Sequence, residues 1–346
     1  MRPAARRRAG LHAALLVLVA GLAAVALVAA ALAAEPPCAH RGALDALYCD
    51  ENRDGVADPP KDKARLVSPD PLVFTYAPVE DPAVYETAWS DFLKHVEKVT
   101  GKRTKYFGLQ NYAAQIEAMR SGRLHLSAYS TGSLVYAVHL AGAVPFAIMR
   151  DAKGPSGYHL IVIAQAKNDK INSVADLKGK RVAHVSQTSS SGHQAPVYFF
   201  SRQGVAPGKD YTIAFSGKHD NSILGVVNGD YDAAAVADTV LERMVTRGVV
   251  KAGDYKVVYT SPVFPTAGFA YAHTLEPALV ERLREAFLSF KFEGTSVGKE
   301  FKGRTGFSPV NYTKDWESVI GILQSNGVQF TKDAPEYKRL QKSGSD

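Results

Sequence analysis

Residues 180–196 read Lys-Arg-Val-Ala-His-Val-Ser-Gln-Thr-Ser-Ser-Ser-Gly-His-Gln-Ala-Pro, and they combine a predicted strand, a polar loop and the start of a predicted helix. The apolar run 181–185 predicts a strand, and Pro196 predicts a helix start, because a first-turn proline loses no helical hydrogen bond. The hydroxyls of residues 188–191 therefore lie where a helix leaves its first N–H groups unpaired. One interpretation is a pocket that holds a small oxyanion on these donors. The other is that one serine caps the helix and the rest decorate a turn.

Strands and helices alternate outward from this stretch, which predicts an α/β fold with mostly parallel sheets flanked by helices. Strands are predicted at 72–76, 105–109, 124–128, 158–164, 181–185, 211–215, 233–236, 256–260 and 268–272. Helices are predicted at 83–100, 112–120, 173–177, 222–228, 277–290 and 316–325, with one more from residue 134. Crossings near 154–157 and 261–265 divide the chain into two lobes with a cleft between them. Lobe 1 comprises 70–155 plus 266–346, and lobe 2 comprises 156–265.

The N-terminus predicts a signal peptide over residues 1–34. Four arginines lie within the first eight residues, and the stretch 11–34 is almost wholly apolar. Small residues end this stretch, so cleavage is expected near Ala34, with export to the periplasm. The apolar run is also long enough to span a bilayer as an uncleaved anchor.

Charge argues against nucleic-acid binding. The whole chain carries a formal net charge of +7, and removal of the four arginines of the signal leaves +3. This mild excess, with no basic stripe interleaved with aromatics, is not typical of a nucleic-acid surface.

Residues 35–69 predict a polar, disulfide-bridged extension. Cys38 and Cys49 are the two cysteines of the chain, and a disulfide is the expectation for an exported protein. The positions of a calcium loop that match are Asp50, Asn52, Asp54 and Asp58. Lys61 occupies the place of the expected bidentate acid, so a structural calcium and a solvated acidic turn both remain open. No other cofactor is predicted.

A second loop repeats the pattern of strand, hydroxyls, glycine and helix. It reads Tyr129-Ser130-Thr131-Gly132-Ser133. One such loop in each lobe suggests a ligand held between opposing helix N-termini, because the carboxyl ends of strands face the crevice of open α/β sheets.

Two further residues are candidates for the same cleft. His219 precedes a predicted helix, where its ring can donate to an oxyanion in either protonation state, or simply cap the helix. Asp238 follows an apolar strand, where its carboxylate can accept from a protonated P–OH or an ammonium, or cap the next helix.

Several segments together resemble the periplasmic phosphonate- and phosphite-binding proteins of ABC importers, over roughly residues 72–329. They are Asp176-Leu-Lys-Gly-Lys-Arg-Val-Ala183, Ser189-Ser-Ser-Gly192 with Pro196, Ser216-Gly-Lys-His219-Asp220, Gly229-Asp-Tyr-Asp-Ala-Ala and Ser261-Pro-Val-Phe-Pro265. The resemblance implies a type II periplasmic-binding-protein fold. It also implies capture of a phosphonate, phosphite or phosphate by hinge closure, and delivery by a monomer to an ABC permease of the inner membrane.

The resemblance also implies roles for single residues. Ser189, Ser190 and Ser191 would grip the phosphonate-type oxygens, and His219 would donate to the same group. Tyr76 and Tyr129 would line the first-lobe side of the cleft, and Asp238 would meet an amino group or a P–OH. The family's loop commonly reads Ser-Thr-Ser-Gly, and the change to Ser-Ser-Ser-Gly here keeps the donors.

Two other functions compete with import. A sensor partner of a histidine kinase would use the same closed form, and the sequence does not separate the two roles. A periplasmic hydrolase with Ser, His219 and Asp238 as a triad is disfavoured, because the motif Gly-x-Ser-x-Gly is missing. The sequence therefore predicts a binding protein rather than an enzyme.

Overall fold

A computed structural model describes residues 38–330 of the 346-residue chain. The predicted signal peptide and the end of predicted lobe 1, residues 331–346, lie outside the described residues. No helix within 38–330 is long and apolar enough to cross a membrane.

The described residues form two β-sheets flanked by helices. The strands are β1 (Leu72–Tyr76), β2 (Thr104–Tyr106), β3 (Leu126–Tyr129), β4 (Ala143–Asp151), β5 (Gly154–Pro155), β6 (Gly157–Gln165), β7 (Arg181–His184), β8 (Thr212–Phe215), β9 (Ala233–Ala237), β10 (Tyr255–Pro265), β11 (Gly268–Ala272) and β12 (Gly306–Pro309).

The α-helices are α1 (Pro82–Ala88), α2 (Ser90–Thr100), α3 (Tyr112–Arg120), α4 (Thr131–Ala141), α5 (Ala195–Arg202), α6 (His219–Asn228), α7 (Asp238–Thr246), α8 (Pro277–Ser289), α9 (Ser296–Glu300), α10 (Tyr312–Asp315) and α11 (Glu317–Ser325). Short 3₁₀ turns lie at Lys63–Arg65 and Val174–Leu177, and a π-helical turn at Ser190–Gln194 leads into α5.

The first sheet has the strand order β12-β4-β11-β3-β1-β2, with β5 paired to β4. The second has the order β10-β6-β9-β7-β8. Strands of the first sheet come from residues 72–155 and 268–309, and strands of the second from 157–265. The chain therefore leaves the first sheet once and returns to it once, and the carboxyl ends of β3, β7 and β9 lead into the loops that build the site.

The expectation of mostly parallel sheets was wrong, because both sheets are mixed. Strand β1 is parallel to β2 and β3, and β7 is parallel to β8 and β9. The remaining pairs, built on β4, β6, β10, β11 and β12, are antiparallel. One reason is the connection: a parallel pair needs a long crossover, as between β1 and β2 or between β7 and β8, whereas the two residues between β4 and β5 allow only an antiparallel hairpin.

The segment 40–69 is packed onto the first sheet's helices rather than loosely attached. Leu44 and Tyr48 belong to the hydrophobic core, and the Tyr48 hydroxyl donates to the Leu140 carbonyl at 3.4 Å. Arg120 forms a buried ion pair with Asp45 at 3.3 Å. The predicted disulfide is confirmed, since Cys38 and Cys49 are both disulfide-bonded.

Candidate functional site

A cavity of about 330 Å³ lies where the loops of the two sheets face each other. Seven of the nine predicted ligand residues line it: Tyr76, Ser130, Thr131, Ser189, Ser190, Ser191 and His219. The loops after β3 and β7 thus face the same space, as their shared pattern predicts.

Neighbouring hydroxyls of the serine loop, residues 188–191, have different surroundings. The Ser189 side chain is the cap, because its Oγ accepts the Gly192 N–H at 3.0 Å. Gly192 is required there, since a Cβ would lie 2.5 Å from the Val185 side chain. The Ser190 hydroxyl takes no part in this cap; it is buried and lines the cavity beside the Tyr158 phenol. The capping interpretation therefore holds for Ser189, and the oxyanion interpretation stays a prediction for Ser190.

His219 begins α6 and is buried against the serine loop. Its Nδ1 accepts the Ala237 N–H at 3.1 Å, and its Nε2 lies 3.5 Å from Ser189 Oγ. Because Nδ1 is an acceptor, the proton of the neutral ring is on Nε2. Burial lowers the pKa of His219 to about 3, with Glu80 and Arg243 acting in opposite directions. The ring is therefore a neutral donor at physiological pH.

The loop Ser130–Ser133 contributes mainly backbone. Ser130 Oγ and Ser133 Oγ are 2.7 Å apart and bond to each other, and the Thr131 hydroxyl donates to the Pro265 carbonyl at 2.8 Å. The Thr131 carbonyl in turn accepts from Trp316 Nε1 at 3.1 Å. These bonds fix the start of α4, where Ser130 and Thr131 line the cavity.

The glycine of this loop sets how closely the two loops approach. A Cβ on Gly132 would collide with the Thr188 carbonyl oxygen and would lie 2.7 Å from the Ser190 nitrogen. We expect Gly132→Ala to weaken oxyanion binding at least about tenfold, because the serine loop must shift away from α4. Calorimetric titration with methylphosphonate measures this. Gly321→Ala is the matched control, since this helical glycine has open space around it; equal affinities for the two variants would contradict the prediction.

Of the three remaining predicted ligand residues, one lines the cavity and two do not: Tyr76 lines it, whereas Tyr129 and Asp238 lie elsewhere. Tyr76 lines the cavity and stacks on Trp89. Tyr129 lies in the hydrophobic core and does not line the cavity. Asp238 does not line it either, and its carboxylate accepts the Thr239 N–H at 2.7 Å. The structure therefore does not bring the last two residues to the ligand space.

Sequence reasoning missed several residues that line the cavity. Tyr158 on β6 is buried, which raises the pKa of its phenol, while hydrogen bonds with the hydroxyls of Ser191, Thr131 and Ser190 act in the opposite direction. The hydroxyl of Thr266 is buried without a partner. Their positions in the sequence could have identified Tyr158 and Thr266, because each lies beside a predicted crossing between the lobes, where the cleft is expected.

A charged cluster, made of Glu80, Arg243, Arg247 and Glu300, forms a further part of the site and was also missed. Arg243 Nη2 lies 2.8 Å from Glu80 Oε2, Arg247 also pairs with Glu80, and Arg247 Nη1 lies 2.8 Å from Glu300. The Tyr85 hydroxyl donates to Glu80 at 2.6 Å. Arg243 is on α7 and Arg247 caps its C-terminus, beside the second sheet, whereas Glu80 follows β1 of the first, so the cluster joins the two halves of the fold.

The predicted calcium ligands form a loop held by hydrogen bonds of the chain itself. Asp50 accepts the N–H groups of Asp54 and Gly55 at 3.0 and 3.2 Å, and Asp58 accepts that of Glu51 at 2.6 Å. Within residues 38–330, no group of three or more His, Cys, Asp or Glu side chains is placed to hold a metal ion.

Comparison with known proteins gives one family. Residues 74–316 match the family described as the periplasmic substrate-binding protein of phosphonate ABC transporters. A phosphate-import protein of Mycolicibacterium smegmatis is 29% identical over 258 residues, covering 70% of this chain and 80% of the relative. The phosphonates-binding periplasmic protein of Escherichia coli is 25% identical over 264 residues, covering 74% and 77%.

Solved structures show the same fold. A binding component of a phosphonate ABC transporter from Pseudomonas aeruginosa aligns with a TM-score of 0.67 and 22% identity, over 80% of this chain and 96% of the other. A Prochlorococcus marinus protein, solved in complex with methylphosphonate, aligns with a TM-score of 0.67 and 20% identity, over 75% and 99%. The chain therefore has the two-lobed fold of type II periplasmic binding proteins, as its sequence predicts.

Proposed function

Because this chain belongs to the family of periplasmic substrate-binding proteins of phosphonate ABC transporters, we propose that it captures a phosphonate, phosphite or phosphate and delivers it to an ABC importer. The relatives described above are named for phosphate import and for phosphonate binding. Their names favour import over the sensor role.

The observation that carries the proposal is a cavity lined by buried hydroxyls, those of Ser190, Tyr158 and the unpartnered Thr266, together with the neutral N–H donor of His219. A buried hydroxyl without a partner is costly unless a ligand satisfies it. Neutral donors at helix starts bind an oxyanion without a full counter-charge, as expected for reversible capture. Ser130 and Thr131, at the start of α4, line the same cavity.

We infer that the two sheets are the cores of two lobes that close on the ligand, with boundaries at the changes of sheet near residues 156 and 266. Hydrogen bonds join the two lobes directly. The backbone N–H of His219 donates to the Val79 carbonyl at 3.0 Å, and the backbone N–H of Asp81 donates to the Asp220 carboxylate at 3.1 Å. In hinge closure, bonds of this kind form as the ligand bridges both lobes.

The family is a transport component rather than an enzyme family, and we propose that this chain does not catalyse hydrolysis. In a Ser-His-Asp triad, the histidine Nδ1–H donates to the acid and Nε2 accepts the serine proton. Here Nδ1 of His219 accepts the Ala237 N–H, so Nε2 carries a proton and cannot take one from Ser189. The tautomer that suits binding is the wrong one for activating a nucleophile.

The remaining assignments rest on the family and the sequence. A periplasmic location follows from the family, and we propose a signal peptide cleaved near Ala34, a monomer, and an inner-membrane permease as the partner. Calcium at the Asp50–Asp58 loop stays a prediction from the sequence.

Calorimetric titration of the natively purified protein with phosphite, methylphosphonate, 2-aminoethylphosphonate and phosphate tests the function. We expect micromolar or tighter binding of at least one of them. A ligand at 100 times its Kd should also stabilise the fold by about 2.7 kcal/mol. Failure of all four to bind would refute the proposal.

A further inference from the structure

The cavity has a second, positively charged side beyond the neutral oxyanion donors. The cations that line it are Arg243, Arg247, Lys299, Lys302 and Arg304, and the acids that line it are Glu242 and Glu300. Glu300 is already paired, since its carboxylate lies 2.8 Å from Arg247 and 3.6 Å from Arg243. Glu242 is exposed to solvent.

Two arginines on this side, Arg243 and Arg304, have N–H groups that are not used in hydrogen bonds to the protein. Arg243 uses its Nε and Nη2 groups on Glu80, and Arg304 uses Nη1 on Asp151 at 3.0 Å. A guanidinium carries five N–H donors. Among the described residues, Arg243 Nη1 and the Nε and Nη2 groups of Arg304 have no acceptor. Charged donors therefore line the cavity without a protein carboxylate to satisfy all of them.

The charged side and the oxyanion end share one electrostatic environment. Burial raises the pKa of Tyr76 to about 12; the charges of Arg243 and Arg304 act to lower it, and those of Glu80 and Glu300 act to raise it. Glu80 and Arg243 also act on the pKa of His219, in opposite directions. The charges of the cluster therefore reach the oxyanion end, and Arg304 is a cation of the lining whose partner, Asp151, does not itself line the cavity.

The cavity is larger than a simple oxyanion needs. One water occupies roughly 30 Å³ in the liquid, and the cavity holds about 330 Å³. A phosphate has only five heavy atoms, so a ligand gripped at the oxyanion end has room for a substituent of several more. That substituent must extend along the lining, which is richer in cations than in acids.

Resting on the proposed function, we propose that the ligand class of this site is a phosphonate whose short substituent ends in a second acidic group, such as a carboxylate, held by Arg243 and Arg304. The unused guanidinium donors match a carboxylate, which accepts from both of its oxygens. An ammonium in the same place would meet cations, because Glu300 is paired and Asp238 does not line the cavity. Aminoalkylphosphonates are therefore poor ligands.

Three phosphonates of similar size separate the alternatives: ethylphosphonate, 2-aminoethylphosphonate and phosphonoacetate, with a neutral, cationic and anionic end group. In calorimetric titration of the natively purified protein, we expect phosphonoacetate to bind at least about tenfold more tightly than ethylphosphonate, or about 1.4 kcal/mol. We expect 2-aminoethylphosphonate to bind more weakly than ethylphosphonate. The three affinities should keep the same order at high salt, but the differences between their Kd values should be smaller, because salt screens interactions between charges.

Arg304→Gln should remove the advantage of phosphonoacetate, because its affinity should fall at least about fivefold more than the affinity for ethylphosphonate. Arg103→Gln is the matched control, since Arg103 also pairs with an aspartate at 3.0 Å but lies outside the cavity; it should change neither affinity. If phosphite, phosphate or methylphosphonate binds but phosphonoacetate is not favoured over ethylphosphonate, the second-acid inference is wrong and the proposed function stands. If no phosphorus oxyanion binds, both are wrong.

Discussion

The double variant Ser190→Ala with His219→Ala should lower the affinity for methylphosphonate or phosphite at least about 100-fold. Each removes a neutral donor to a charged ligand, and a hydrogen bond to a charged group contributes about 1.5–3 kcal/mol. Two such losses exceed 2.8 kcal/mol, and each 1.4 kcal/mol is about tenfold in Kd. Calorimetry or ligand-induced thermal stabilisation measures the change.

Two features keep this test interpretable. The Ser190 hydroxyl takes no part in the helix cap, which is made by Ser189, so its removal leaves the start of the helix intact. His219→Asn is a second form of the variant, because an asparagine oxygen can still accept the Ala237 N–H while the Nε2 donor is lost. Ser289→Ala with His95→Ala is the matched control, since these exposed side chains form a Ser–His pair at 3.0 Å outside the cavity. Similar affinities for test and control variants would refute the assigned site.

The sequence predicted most elements because their signals are local. The helix Tyr112–Arg120 begins at the Asn111 cap and matches its predicted bounds. The predicted helix 83–100 is in fact two helices that meet at Trp89, and the second ends at Gly101, which has a φ of +68°. The break was not visible because the buried face continues through Trp89 and Phe92 without a change of period.

Strand β4 was missed altogether, for a physical reason. Only Gly142 separates it from α4, and both are buried, so the run of apolar residues shows neither period clearly. Pro262 and Pro265 likewise ended the predicted strand at 260, although β10 continues through both. The edge position of β10 in its sheet leaves room for residues that cannot donate.

The sequence predicted the site residues that lie in a single loop, but it did not predict those that only the tertiary fold brings together. Hydroxyl loops after two strands identified Ser190 and Ser130, because a helix start is a local feature. Glu80, Arg243 and Arg304 are far apart in sequence, and each alone resembles an ordinary surface charge. Only the folded structure shows that Arg243 and Arg304 line one cavity and that Glu80 pairs with Arg243.

The cavity therefore has two chemically different sides. At its oxyanion end the hydrogen-bond donors are neutral; the Ser189 cap fixes the position of the serine loop, and the Ala237 N–H fixes the tautomer of His219. Its other side carries a charged cluster that joins the halves of the fold. Because the cluster joins the two halves, the stability of the fold should depend on it even without ligand.

Glu80→Gln should be the most destabilising single change among the described charged residues of the site. Glu80 is buried between Arg243 and Arg247, and breaking a buried pair by removing one partner costs about 3–5 kcal/mol. We expect the Tm to fall by about 5 °C or more in thermal unfolding. Glu281→Gln is the control, because its exposed pair with Arg284 at 3.9 Å should contribute less than about 1 kcal/mol.

The pH dependence gives an independent test of the same carboxylate. Burial alone raises the pKa of Glu80, but Arg243, Tyr85 and Arg247 together outweigh it and hold the pKa below its ordinary value of 4.5. A carboxyl with a lowered folded pKa stabilises the fold above its unfolded pKa and loses that contribution as pH falls through the folded pKa. The Tm difference between the native protein and Glu80→Gln should therefore be complete at pH 6–8 and shrink below about pH 4.5. A difference that is absent at pH 7, or that grows as the pH falls, would show that the ionised carboxylate does not hold the two halves together.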